Sequence, residues 1–204
     1  MKLILACLVY YAYSTQIPPV PPRPDGIAYG PSTTNYTLDV FYDHLCTDSA
    51  AAFPGLYSYW EMNQSWLRMV IHIFPLPYHY YSFEVGIAGR FIQLNYPSNF
   101  TSFTSWMFQH QSKYLDAARQ WDQTVLYTYL AADTSTATGV PSGLVESALY
   151  NPVYSEDLKV SWKYVASNGI TGTPRYMVNG IFSPPATFFE TVADWENFFN
   201  SLAN

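Results

Sequence analysis

Apolar residues first recur at every second position. In "YTLDVFY", 36 to 42, Leu38, Val40 and Tyr42 fall on one side of an extended chain, and the run is β-branched and aromatic, which predicts a strand. The period breaks at Cys46. Thr47, Asp48 and Ser49 are residue types that cap helix N-termini, and the alanines at 50 to 52 are strong helix formers, so a helix begins beside the cysteine. Pro54 is expected to kink or interrupt it. "WLRMVIHIF", 66 to 74, predicts a second buried strand, closed by Pro75 and Pro77. Strand, helix and strand form a βαβ unit, whose crossover should be right-handed.

From about 78 to 166 the pattern turns helical, with segments over 80 to 94, 103 to 131 and 154 to 169. In the last, Leu158, Trp162 and Val165 share one face at spacings of four and three, and Gly169 follows as a C-terminal stop. Arg175 to Val178 then predicts a short strand, Asn179-Gly180 a type I′ hairpin turn, and the next residues a return strand. An amphipathic helix over 186 to 202 closes the chain. Ahead of all this, residues 16 to 33 hold six prolines and two glycines, so 15 to 35 is expected to be an extended N-terminal arm leading into one domain over 36 to 204.

Composition narrows the function classes. The 204 residues are 49% hydrophobic, enough for one domain with a sizeable core. Charged residues are only 12% and the net charge is −6, so no basic field exists to hold nucleic acid. Residues 1 to 14 read as a signal peptide: Lys2, an apolar run from Leu3 to about Tyr13, and small residues at Ala12 and Ser14 for cleavage. No stretch approaches the twenty apolar residues of a spanning helix, so a chain secreted or resident in the endoplasmic reticulum or another secretory lumen is expected, with no membrane span once the leader is removed. Asn35, Asn63 and Asn99 each open an N-glycosylation triplet, meaningful only on that route. Of the two cysteines, Cys7 would leave with the leader, and Cys46 alone would remain. An internal disulfide is then impossible, and stability must come from the core.

Four stretches resemble the DsbA-like branch of the thioredoxin superfamily over roughly 36 to 202. "FYDHLCTDSAAAF" is similar to that family's strand, Cys-x-x-Cys and helix. "HIFPLPYHYYSFEVGIAG" is similar to its passage from the second strand into a helical insertion. The insertion is long, Pro174 lying 128 positions after Cys46. "GITGTPRYMVNGIF" resembles its Gly-x-x-Gly-Thr-Pro strand with a Val-Asn-Gly hairpin. The resemblance implies an α/β, thioredoxin-like fold with a DsbA-type helical insertion between the βαβ and ββα halves. It also implies that Thr173 and Pro174 form a cis-proline loop that faces Cys46 and orients an extended peptide of a disulfide-bearing client.

The chemistry follows from the residues. Unpaired backbone N–H groups and the positive end of the dipole at a helix N-terminus favour the thiolate, the attacking form of cysteine. Where the family has its second cysteine this chain has Ser49, which cannot attack a disulfide, so two-thiol cycling is excluded. What remains is the exchange of one thiol: Cys46 forms a mixed disulfide and awaits release by a second thiol, such as glutathione acting as co-substrate. In this reading Ser49 donates a hydrogen bond to the thiolate, Asp48 opposes it by charge, and His44 lends positive charge if protonated or serves locally in the structure. Two rivals stay open: a redox-inactive protein that holds peptides in the same groove, with Cys46 a buried relic, and a glutathione-dependent transferase or isomerase. Neither histidine spacing nor the cysteine count supports a metal site, and no hydrolase or nucleotide motif is present.

Overall fold

The structure, a computed structural model, describes residues 19–117 and 119–202. The expected signal peptide over 1 to 14, with Cys7, lies outside the described residues. The chain forms β1 (Ile27–Tyr29), β2 (Tyr36–Tyr42), α1 (Thr47–Asn63), β3 (Leu67–Ile73), α2 (Ser82–Asn95), α3 (Phe100–His110), α4 (Ser112–Asp116), α5 (Gln123–Thr138), α6 (Ser142–Tyr150), α7 (Pro152–Ser167), β4 (Arg175–Val178), β5 (Ile181–Phe182) and α8 (Val192–Leu202). The sheet runs β1-β3-β2-β4-β5. β2 and β3 are parallel, Tyr36 opposite Leu67 and Tyr42 opposite Ile73, and the other pairs are antiparallel.

Period two decides what each face meets. Leu38, Val40 and Tyr42 on β2 lie beside Met69, Ile71 and Ile73 on β3, and all six are buried in the main core. Tyr42 meets Phe53 of α1 edge-on, and Tyr176 meets Trp195 of α8, so these two helices cover that face. The opposite face carries Phe41, stacked on His72, and Met177; they pack toward Val165 and Tyr164 of α7. Helices lie on both faces of the central strands, and this is a thioredoxin-like α/β architecture with a helical insertion, α2 to α7, between β3 and β4.

Several expectations require correction. Pro54 does not interrupt α1, which is continuous from Thr47 to Asn63. The tertiary reason is the next residue: a Cβ on Gly55 would meet the Glu190 carbonyl oxygen at 2.1 Å, so the middle of α1 is pressed against the backbone that enters α8. The helical stretch expected over 103 to 131 is divided into α3, α4 and the start of α5, with Asp122 accepting from the Val125 N–H at the new helix start. That Asp-x-x cap was readable. α6, absent from the sequence reading, packs chiefly on α5 and α2. On α7, Leu158 and Val165 are fully buried, but Trp162 is 37% exposed: its Nε1 donates to the Pro75 carbonyl at 3.0 Å and its ring stacks on Phe74, so Ser161 takes the inward position. Asn179 and Gly180 both adopt positive φ, as the hairpin turn requires.

Part of the proline-rich stretch is also strand. Ile27–Tyr29 pairs with β3, and the residues before it are fastened by charge. Asp25 meets His72 Nδ1 at 2.7 Å and Arg90 at 3.1 Å; His72 Nε2 meets Asp39 at 3.2 Å; Asp157 of α7 binds both Arg90 and Arg23. Burial works against the Asp25 carboxylate, but the hydrogen bond from His72 and the charges of His72 and Arg90 outweigh it and hold its pKa down to about 2. Burial likewise opposes the His72 imidazolium, and the bonds and charges of Asp25 and Asp39 outweigh it, so its pKa is raised above 6.5. The two signs define a window. Stability from Asp25 is present above pH 3.8 and is lost as pH falls toward 2, whereas stability from His72 is full below pH 6.5 and is lost as pH rises through its folded value. Denaturant unfolding across pH is therefore expected to show the greatest contribution of this cluster between about pH 4 and 6.5, with the alkaline decline absent in His72→Gln.

Candidate active site

The βαβ geometry delivers Cys46 to the start of α1, at the sheet edge where β2 ends. Cys46 is the N-cap residue, with extended φ and ψ of −79° and 122°, and its carbonyl accepts the first helical bond from the Ala50 N–H at 3.1 Å. No side chain caps this terminus. Cys46 is 6% exposed, and Sγ donates to the Thr173 carbonyl at 3.3 Å. The Thr173-Pro174 peptide bond is cis, and the Thr173 carbonyl lies beside the sulfur although the residues are 127 positions apart. Thus the structure brings together Cys46, Thr173 and Pro174.

Ser49, one turn into the helix, is fully buried and its hydroxyl has no hydrogen-bond partner among the described residues; it makes no bond to Cys46. Asp48 is exposed in the first turn. His44 is buried among Phe100, Phe103 and Phe108, with Nε2 3.2 Å from Thr104 Oγ1 and no partner for Nδ1. Burial, only partly offset by Asp43, lowers its pKa to about 4, so it is neutral at physiological pH and supplies packing rather than charge. Asn35 is exposed. Asn63 and Asn99 are more engaged: Asn63 Nδ2 donates to the Tyr59 carbonyl and its Oδ1 accepts from Trp66, while Asn99 Nδ2 donates to the Thr138 carbonyl.

The residue that organises the site is Asp43. Fully buried, it accepts from the backbone N–H of Leu45 at 2.9 Å, the N–H of Leu76 at 3.0 Å, His79 Nδ1 at 2.6 Å and the Ser82 hydroxyl. Its carbonyl also accepts from the Cys46 N–H. One carboxylate thereby joins the turn before Cys46 to the segment between β3 and α2. Gln111, between α3 and α4, completes the frame by donating to the carbonyls of His44 and Cys46. The local half of this frame was legible, since an Asp accepting from the N–H two residues on is a recurrent turn. Its distant partners carried no signal. Tyr78 stands exposed on the same segment, its hydroxyl titrating upward through burial first and then through the negative charge of Cys46, Asp43 and Asp48, opposed by Arg175.

Behind the sulfur, the hydroxyls of Tyr42 and Tyr176 pair at 3.3 Å. Burial raises the pKa of both phenols, so they remain neutral hydrogen-bonding groups. Among the described residues no group of three or more His, Cys, Asp or Glu side chains is placed to hold a metal, and no helix is long and apolar enough to cross a membrane.

This arrangement, a cysteine at a helix N-cap facing the carbonyl of the residue before a cis-proline, sits in a thioredoxin-like fold with a DsbA-type helical insertion. No family model and no curated protein sequence matches the chain. Solved structures do. BdbD from Bacillus subtilis, in its oxidised form, aligns with a TM-score of 0.67 at 13% identity over 87% of this chain and 98% of that one. MdbA of Actinomyces oris, a thiol-disulfide oxidoreductase, gives 0.66 at 16% identity over 85% and 86%. A protein-disulfide isomerase from Novosphingobium aromaticivorans gives 0.65 at 12% identity over 88% and 98%. The likeness therefore extends over whole chains and is one of fold.

Proposed function

We propose that the protein carries out monothiol exchange on the disulfides of client polypeptides in a secretory lumen. The observation that carries this reading is the position of Cys46 Sγ, at the N-cap of α1 and 3.3 Å from the Thr173 carbonyl of the cis-proline loop. In the reaction, Cys46 as thiolate attacks one sulfur of a client disulfide. The Cys46–client bond forms as the client bond breaks, and the departing client sulfur takes up a proton. A second thiol, from glutathione or the client, then attacks the mixed disulfide and returns Cys46 as thiolate. The chain is left unchanged: when the second thiol is the client's own, the client disulfide is moved, and when it is glutathione, the client leaves with one free thiol and its other sulfur joined to glutathione. Thr173 and Pro174 orient the client, since a proline there leaves no N–H of its own to satisfy and the neighbouring backbone is free to meet an extended peptide.

Burial of the sulfur favours the redox-silent alternative, in which the same loop holds peptides without chemistry. One measurement separates the two. Incubated with a peptide disulfide under native conditions and read by intact mass, the wild type is expected to form an adduct of one peptide that glutathione removes, and Cys46→Ala none. A thiol that labels only after unfolding would defeat the exchange reading and leave peptide binding.

A further inference from the structure

Between the segment from Pro75 to Phe83 and α7 lies a groove of about 360 Å³ that the chemistry above does not use. Its floor and walls are almost wholly apolar: Pro75, Leu76, Pro77, Tyr80 and Phe83 on one side, Trp162 of α7 on the other. Trp162 is the anchor of this surface. One face of its ring stacks on Phe74 at 5.4 Å and its N–H is already satisfied by the Pro75 carbonyl, so the indole is held in place while 37% of the residue stays open to solvent. A preformed aromatic wall costs no ordering entropy when a ligand arrives, which is what separates a binding surface from a stray exposed ring.

The rim is charged with one sign. Lys159 and Lys163 stand at the α7 edge; Lys159 shares its charge with Glu156 at 2.8 Å, and Lys163 has no ion-pair partner among the described residues. The remaining ionisable group of the lining, His79, is bound to Asp43. In a chain of net charge −6, two lysines closing an apolar groove select a ligand that is apolar with an acidic flank. The groove is linked to the cysteine through one residue: Leu76 and His79 of its lining are hydrogen-bonded to the Asp43 carboxylate, and the Asp43 carbonyl accepts from the Cys46 N–H.

We infer that this groove is the side-chain specificity site for the client. It takes a large apolar or aromatic residue followed by Asp or Glu, in the stretch of polypeptide that flanks the cysteine joined to Cys46. This deepens the exchange reading and rests on it for the covalent step, while binding in the groove does not need a reactive thiol.

The test uses the full chain and two synthetic peptides bearing a cysteine activated as its 2-pyridyl disulfide, one with Trp-Asp and one with Trp-Lys a few residues from it. Attack by Cys46 on the peptide sulfur forms the adduct and releases pyridine-2-thione, which is read by absorbance. Each rate is divided by the same variant's rate with the small reagent 2,2′-dipyridyl disulfide. The acidic peptide is expected to react about tenfold faster than the basic one; Lys163→Glu reverses the order and Trp162→Ala removes the advantage of both over a Gly-Gly peptide. Equal normalised rates for all peptides in the wild type would overturn the groove while leaving exchange intact. If even the small reagent fails to react, exchange falls, and the groove is judged by calorimetric binding of the same peptides with Ser for Cys: a Trp-Asp preference lost in Lys163→Glu sustains it, and no binding ends it. A concentration-dependent dimer that Lys163→Glu dissolves would give the groove to a second copy and overturn the proposal. Lys163 is exposed, so that variant keeps the test valid should Trp162→Ala fold poorly.

Discussion

Ser49→Cys is expected to convert a chain that can hold only a mixed disulfide into one that closes its own. The substitution places a second thiol three residues after Cys46 in the first turn of α1, and Cα atoms three residues apart on a helix are about 5 Å apart, within the Cα span a disulfide bridges. A cysteine there attacks the mixed disulfide as an intramolecular nucleophile, so the adduct's lifetime should fall by about 100-fold or more relative to release by millimolar glutathione. Intact mass in a glutathione redox buffer reads the change: the wild type gains one glutathione, whereas the variant loses two hydrogens and carries no adduct. The Ser49 hydroxyl is fully buried and unpartnered, so the smaller polarity of a thiol suits the position. A variant that keeps two free thiols under oxidising buffer would show that the first turn of α1 cannot bring the sulfurs together, and the exchange reading of Cys46 would lose its geometric basis.

Asp43→Ala is expected to be the most damaging single change to stability near the site. It strips the acceptor from two backbone N–H groups, one imidazole and one hydroxyl, most of them buried, and leaving such donors unmade costs about 3 kcal/mol or more in total. Set against a typical domain stability of about 5–15 kcal/mol, that is a large fraction. Urea denaturation gives the measure, with Ser82→Ala as the reference for losing one arm alone. Because Asp43 ties the turn before Cys46 to the wall of the groove, the variant should also lose the peptide preference described above before it loses the fold. A change of less than about 1 kcal/mol would mean that water replaces the carboxylate, and the site would then be framed by Gln111 alone.

The two predictions bear on positions of very different legibility. Ser49 announced itself: the missing second cysteine is visible in the order Cys46-Thr47-Asp48-Ser49 once the strand before it and the helix after it are recognised. Asp43 did not. Nothing in the spacing of Asp43, Leu76, His79 and Ser82 sets them apart in the sequence, because their meeting depends on where the chain re-enters after β3. His44 shows the same limit from the other side. Its place two residues before the cysteine invited a charge role, yet the three phenylalanines that surround it all come from α3, and their burial of the ring decides its protonation.

By itself the sequence determined the local events: the strand over 36 to 42, the helix start at Cys46, the hairpin at Asn179-Gly180, and the exclusion of a two-thiol couple. Each depends on residues adjacent in the chain, where side-chain period, cap chemistry and backbone preference act without help from distant partners. Only the tertiary structure decided that the proline-rich stretch supplies β1 and a buried Asp25, that Trp162 faces a groove instead of the core, and that Pro54 lies within an unbroken helix. Those outcomes depend on which surfaces bury one another and which buried charges find partners. These are sums over residues tens to more than a hundred positions apart, and no local pattern encodes them.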